Sequence, residues 1–253
     1  KDVSGTPIPQ FKDNFKNFFQ DGFTERHNIA VSSKGDKGNM YASFSRLDQE
    51  GVIPNNTYDR NSALVRLDQN VTEKFNVSAK ANFINSNSHK FNGASGPMQG
   101  LGYFHNNWDI KSGDHIDENG ERGWFSASVP HPMWIVTQEG EDGQVNRFIG
   151  NLGFDYKFAD WLSVGYKVGM DSYSDERKAV RPIGSVTANA GDGDITEVRL
   201  NSKDITSDFI IRGQADIASD LNLSYMVGNN IYRSKYDRMY VRGDQIVIAG
   251  LED

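Results

Sequence analysis

Between Arg147 and Tyr173 the chain reads RFIGNLGFDYKFADWLSVGYKVGMDSY, with apolar residues at every second position. Phe148, Gly150, Leu152, Phe154, Tyr156 and Phe158 fall on one face of an extended arm, and Arg147, Asn151, Gly153, Asp155 and Lys157 on the other. Only Ile149 is out of phase. After the tight link Ala159-Asp160 the pattern resumes, with Leu162, Val164, Tyr166, Val168 and Met170 opposed to Ser163, Gly165, Lys167, Gly169 and Asp171. This period predicts a hairpin with one greasy and one wet face. Each arm is predicted to run roughly a dozen residues, about twice the usual strand and close to the 9–11 tilted residues that cross a bilayer.

The same pattern recurs along the chain. Ile29 and Val31 lead into a Gly-containing turn, and Met40 to Leu47 returns as their partner. Ala63, Val65 and Leu67 form one face of a third arm, and Phe75, Val77, Ala79, Ala81 and Phe83 answer from a fourth. The last hairpin joins Phe209–Ile217 to Leu221–Tyr232, extended by Tyr236 and Tyr240. Before the first arm, Phe11, Phe15, Phe18 and Phe19 recur at helical spacing until Gly22 stops them. Residues 1–22 are therefore predicted to form an extracellular-side connector with a short helix, and 23–253 a segment of about eight strands. Long loops are expected over about 87–145 and 174–203, and the stretch 48–56 is read as a further loop.

No link offers the helical crossover that parallel strands need, so the sheet is expected to be antiparallel. Short links at 33–39, 70–74, 159–160 and 218–220 alternate with three longer connections, the asymmetry of a membrane barrel. Aromatic residues gather near strand ends, Phe75, Phe158 and Trp161 beside the short turns and Tyr173, Tyr232, Tyr236 and Tyr240 toward the long loops, where interfacial girdles would lie. The predicted fold class is all-β, an antiparallel transmembrane β-barrel segment. About eight strands could close a small barrel, yet the chain start KDVSGTPIPQ, without a Met or a signal-like apolar run, and the end GLED favour a piece of a larger wall, with a 22-stranded plugged barrel as its host.

Composition alters this picture little. The 253 residues are 37% hydrophobic and carry a formal net charge of -7. A mean hydropathy of -0.62 resembles that of a soluble protein, but alternating strands and polar loops dilute a barrel in the same way. No apolar run is long enough for a spanning helix. The absence of cysteine excludes disulfides and thiolate metal sites. Net acidity without a Lys/Arg stripe argues against nucleic acid as a partner.

The blocks FFQDGFTERHNIAVSS, YASFSRLDQEGVIPNN and NRFIGNLGFDYKFADWLSVGYKVG, in this order, resemble the barrel of SusC/RagA-type TonB-dependent outer-membrane transporters. The resemblance implies a nutrient importer of the Gram-negative outer membrane, embedded in outer-membrane lipid. It implies a SusD-like surface lipoprotein as lid, a TonB complex acting through regions outside this chain, and an oligosaccharide or oligopeptide as substrate. It is also compatible with a dimer of transporter–lipoprotein pairs. The plug, the TonB-contacting box and the remaining strands are not among these residues.

Candidate chemistry is sparse. Lys80, Asp155, Lys167, Asp171, Arg212 and Asp216 lie on the polar sides of their arms and are expected to line a wet lumen. Tyr103, Trp108, Trp124 and Trp134 lie in the longest loop, where exposed rings could stack on a sugar or grip a peptide, or dock the lid. His27, His89, His105, His115 and His131 are isolated in sequence and lack metal-ligand spacing. GDHIDENGERG only partly matches a calcium loop, DGD at 192–194 reads as a turn, and GASGPMQGLG reads as a mobile glycine-rich loop without a phosphate-binding lysine. The strand carboxylates show no spacing diagnostic of a glycosidase pair, so neither an enzyme nor a cofactor is expected. The second reading from the same alternation is a soluble all-β glycan-binding module or β-propeller enzyme domain, which would bury the apolar face against a second layer.

Overall fold

The computed structural model describes residues 12–91, 96–123, 128–186, 188 and 191–248. Eight strands form one antiparallel sheet in chain order. They are β1 (Phe23–Gly35), β2 (Gly38–Glu50), β3 (Thr57–Asn70), β4 (Phe75–Phe91), β5 (Gly140–Ala159), β6 (Leu162–Arg181), β7 (Asp194–Ala218) and β8 (Leu221–Asp244). Three short helices, α1 (Asn14–Phe18), α2 (Gly96–Gly102) and α3 (Pro132–Gln138), gather at the end of the sheet away from the short turns.

The register converts the sequence alternation into two continuous faces, because directly paired residues point to the same side. Val31, Ala42, Val65, Ala81, Gly150, Met170, Ile205 and Arg233 form one row across all eight strands. Two residues nearer the short turns lies the row Ser33, Met40, Leu67, Ala79, Leu152, Val168, Ser207 and Ile231. The row between them, Ser32, Tyr41, Arg66, Lys80, Asn151, Gly169, Thr206 and Tyr232, belongs to the opposite, polar face. Phe75 stacks on Phe154 with centroids 6.4 Å apart, and Phe158 meets Tyr156 edge-on at 4.7 Å, which gives the apolar face an aromatic rim beside the turns.

The apolar face is a band with a sharp upper edge. Beyond Phe148 the next row on that face is His27, Arg46, Asn61, Asn85, Asn146, Ser174, Asn201 and Asp237, polar in every strand. On β5 the band thus runs from Phe148 to Phe158, the height that about 9–11 tilted residues span. The short turns also step along the ladder: Gly38 pairs with Gln69, Phe75 with Tyr156 while β5 continues to Ala159, and Leu162 with Gly213 while β7 continues to Ala218. Such stagger is the shear that a tilted barrel wall requires.

Several sequence expectations are corrected. β5 and β6 each span 20 residues, and β7 and β8 span 25 and 24, so much of what reads as loop is paired strand. Above the band both faces are polar, as in the β5 start GEDGQVN, and no period-two signal survives there. The connections shrink to 51–56, 92–139 and 182–193, and the first of these is short. Tyr232, Tyr236 and Tyr240 pair with Thr206, Ser202 and Val198, and Tyr173 with Arg147, which puts all four on the polar face rather than in an outer girdle. Within GASGPMQGLG, Gly96–Gly102 is helix α2, and residues 93–95 lie outside the described residues, as does Phe11.

Candidate functional site

Lys80, Asp155, Lys167, Asp171, Arg212 and Asp216 share the polar face, as the register through Asn151, Gly165, Gly153, Ile149 and Ser163 requires. They do not form one cluster. Arg147 holds Asp171 with two bonds of 2.9 and 2.6 Å, a bidentate grip that fixes both side chains against the wall. Arg212 lies 3.8 Å from Asp155. Asp216 accepts from Asn222 at 2.6 Å. Lys80 stands directly opposite Arg66, whose guanidinium lies 6.0 Å from the centre of the Tyr41 ring. Lys167 faces Asp208, which in turn accepts from Asn230 at 2.5 Å. The result is a polar face with local, short-range pairing, on which Lys80 and Arg66 stand as like charges side by side.

The tyrosines missed as part of this face change its character. Tyr41, Tyr58, Tyr173, Tyr232, Tyr236 and Tyr240 all have polar-face parity. Tyr232, Tyr236 and Tyr240 are 59%, 57% and 54% exposed, open enough to meet a solute. Their rings offer flat apolar area with a hydroxyl at the tip, suited to amide planes or sugar rings. The parity signal was in the sequence, since even-numbered Gly228 and Asn230 lie on the same side as these tyrosines.

Above the sheet, α1 and the described residues of the 92–139 connection, 96–123 and 128–139, build a small folded cap. Phe18, Leu101, Phe104, Ile110 and Val136 form its core, with Phe19, Ile53, Phe91, Trp108 and Met133 packed around it. Asn14 is the polar clamp: its Nδ2 donates to the Trp108 carbonyl at 2.9 Å and the His105 carbonyl at 3.2 Å, and its Oδ1 accepts from Ile110 N–H at 3.1 Å. Asn55 donates to the Val136 carbonyl at 2.8 Å and ties in the 51–56 link. Trp134 Nε1–H donates to Ser185 Oγ at 3.1 Å and ties in the 182–193 link.

These contacts sort the loop aromatics. Tyr103 is 65% exposed, whereas Trp134 is 2% exposed and serves as core, so it offers no surface to a ligand. Trp108 is half-buried against Phe104, its ring edge-on at 6.0 Å. Trp124 lies outside the described residues. Three of the isolated histidines come together here: His115 and His131 lie 5.3 Å apart, His131 packs edge-on against Phe104 at 5.0 Å, and His105 packs against Trp108 at 4.7 Å. His131 caps α3, its Nδ1 accepting from Met133 N–H at 3.0 Å, and burial pushes its pKa down to about 4. Among the described residues no three His, Cys, Asp or Glu side chains group to hold a metal ion.

Asp117 turns its carboxylate inward, accepting from the N–H groups of Asn119 at 2.9 Å and Glu121 at 2.8 Å, so the GDHIDENGERG segment closes on itself as an Asx-type turn. Asp194 is not a loop residue but the buried first residue of β7, held by Arg181 and, at 3.2 Å, by Arg242. This charge knot closes the base of the 182–193 link.

No protein-family model matches the chain, and no curated protein matches it. Solved structures do. The RagAB peptide importer in its open-open state aligns with a TM-score of 0.74 at 14% identity, over 100% of this chain and 29% of that one. The closed-closed state of the same importer gives 0.72 at 15% identity over 97% of this chain, and the RagAB peptide transporter gives 0.71 at 15% over 97%. The chain spans 29% of the length of each of these proteins. The chain therefore has the all-β fold of a part of the RagAB structures, the same proteins that the SusC/RagA-type resemblance of its strand blocks points to.

Proposed function

We propose that this chain is part of the wall of a TonB-dependent importer of the outer membrane, and that its work is passage rather than chemistry. The observation that carries the reading is the register: it gathers most of the apolar positions of eight strands on one face, in a band as tall as a bilayer core and cut off by a fully polar row. In this reading the apolar face meets lipid. The polar face looks into a wet lumen of a 22-stranded plugged barrel, with Lys80, Asp155, Lys167, Asp171, Arg212 and Asp216 setting its polarity and the tyrosines of that face supplying sliding contacts. The cap, with Tyr103 and Trp108 at its surface, lies on the external side, where a SusD-like lipoprotein would close over it.

An oligopeptide is the favoured cargo, supported by the likeness to a peptide importer, with an oligosaccharide as the competing class. Energy would come from a TonB complex through regions outside this chain. The test is fractionation of cells making the protein: recovery in the outer-membrane fraction, with detergent required for a monodisperse solution, supports the proposal. Recovery in the aqueous fraction as a monodisperse protein without detergent would overturn it.

A further inference from the structure

We propose that the corner where β6, β7 and β8 cross the upper edge of the apolar band is a seat for the phosphate of a membrane-lipid headgroup. The proposal rests on the lipid-facing reading of the apolar face. Lys203 and Lys235 are directly paired across β7 and β8, and Arg233 stands on the same face two residues nearer the short turns, opposite Ile205. Like charges directly opposite one another repel, so this arrangement is unfavourable unless an anion joins it. Asp237 does so, 3.1 Å from Lys235; among the described residues Lys203 and Arg233 have no carboxylate within ion-pair distance. Three cations against one carboxylate leave the corner positive.

The other cations at this height are already matched. Arg46 is held by Asp48 at 2.7 and 2.5 Å, and His27 by Glu25 at 2.6 Å. Among the described residues on this face and at this height, the β7–β8 corner keeps excess positive charge, and a cavity of about 430 Å³ opens beside it. Phe83 and Phe148, in the top row of the band, lie on one side of it, Ser172 and Ser174 bring hydroxyls, and Lys203 and Lys235 close the far side. Cations and hydroxyl donors set in one row beside two aromatic rings match a phosphate ester whose acyl chains continue down the band. A soluble anion would have no use for the aromatic surface.

The experiment is native mass spectrometry of the detergent-purified protein titrated with diphosphoryl lipid A, dephosphorylated lipid A and inorganic phosphate. The variants are Lys203→Gln, Lys235→Gln and the double substitution, with Lys178→Gln, further from the band on the same face, as control. Folding is checked by circular dichroism; should the double variant not fold, the single variants carry the comparison. The proposal predicts that diphosphoryl lipid A is retained by the starting protein and by Lys178→Gln. The double variant should bind it about tenfold more weakly, with a partial loss in each single variant. Dephosphorylated lipid A should bind weakly and equally to all. Equal retention of diphosphoryl lipid A by all variants, pointing to lysines that merely extend toward water, would overturn it. So would inorganic phosphate displacing the lipid at equal concentration. If the protein proves monodisperse without detergent, the lipid-facing reading itself has failed, a result separable from a detergent-requiring protein with indifferent variants.

Discussion

At the scale of single residues, His131 shows how burial makes a side chain pH-sensitive. Its Nδ1 must stay unprotonated to accept from Met133 N–H, and its pKa is lowered from 6.5 to about 4. A histidine whose folded value lies below its unfolded value binds its proton more readily when unfolded. The cap's stability is therefore constant above about pH 6.5 and falls as the pH drops toward 4. Hydrogen-exchange protection factors at residues 131–138, the intrinsic rate at each pH divided by the observed rate, should fall over that window and hold steady from pH 7 to 8; unchanged protection from pH 7 to 4 would refute this. Facing is also a residue-scale matter. Leu152→Arg, at mid-band, should lower stability by about 2–4 kcal/mol, whereas Asn151→Arg on the other face should be tolerated, both read as folded yield in detergent. Nothing in the sequence isolated His131 from the other four histidines, because Phe104 and His115, which pack against it, are remote from it in the chain.

At the scale of elements, the alternation made the lower half of each strand legible and left the upper half hidden. Gly150 to Phe158 announces a strand because one face must be apolar, while Gly140 to Asn146 forms the same ladder without an alternating apolar face. The tyrosines were misplaced for a related reason: aromatic residues near strand ends suit either a girdle or an inner wall, and only the register with Ser202 and Thr206 decides. The cap was the least legible element, since its core draws on α1, α2, residues 104–110 and α3, none of which carries a long periodic signal. Trp134 bridges it to the 182–193 link. Trp134→Ala should cost about 3–5 kcal/mol of cap stability and open residues 96–138 to protease. The strands should remain protected, because their ladders do not depend on the cap. Simultaneous loss of strand protection would show that cap and wall unfold as one unit.

At the scale of the whole molecule, one sheet presents an apolar band on one side and a tyrosine-bearing polar face on the other, with a folded cap above. The stagger of the short turns and the polar row above Phe148 are two independent signs that this sheet is a tilted wall rather than half of a sandwich. Among the described residues no second sheet lies against the apolar face: Phe83, Leu152 and Tyr225 remain 51%, 47% and 39% exposed. The most direct test uses the absence of cysteine from the chain. Single cysteines placed in turn at positions 142–158 of β5 and spin-labelled in lipid vesicles would report contact with oxygen, enriched in hydrocarbon, against a water-soluble nickel chelate. High oxygen contact at 148, 150, 152, 154 and 156, nickel contact at 147, 151, 153 and 155, and nickel contact on both faces at 142–146 are the predicted results. Uniform water access along β5, or oxygen contact on the Asn151 face, would contradict the account.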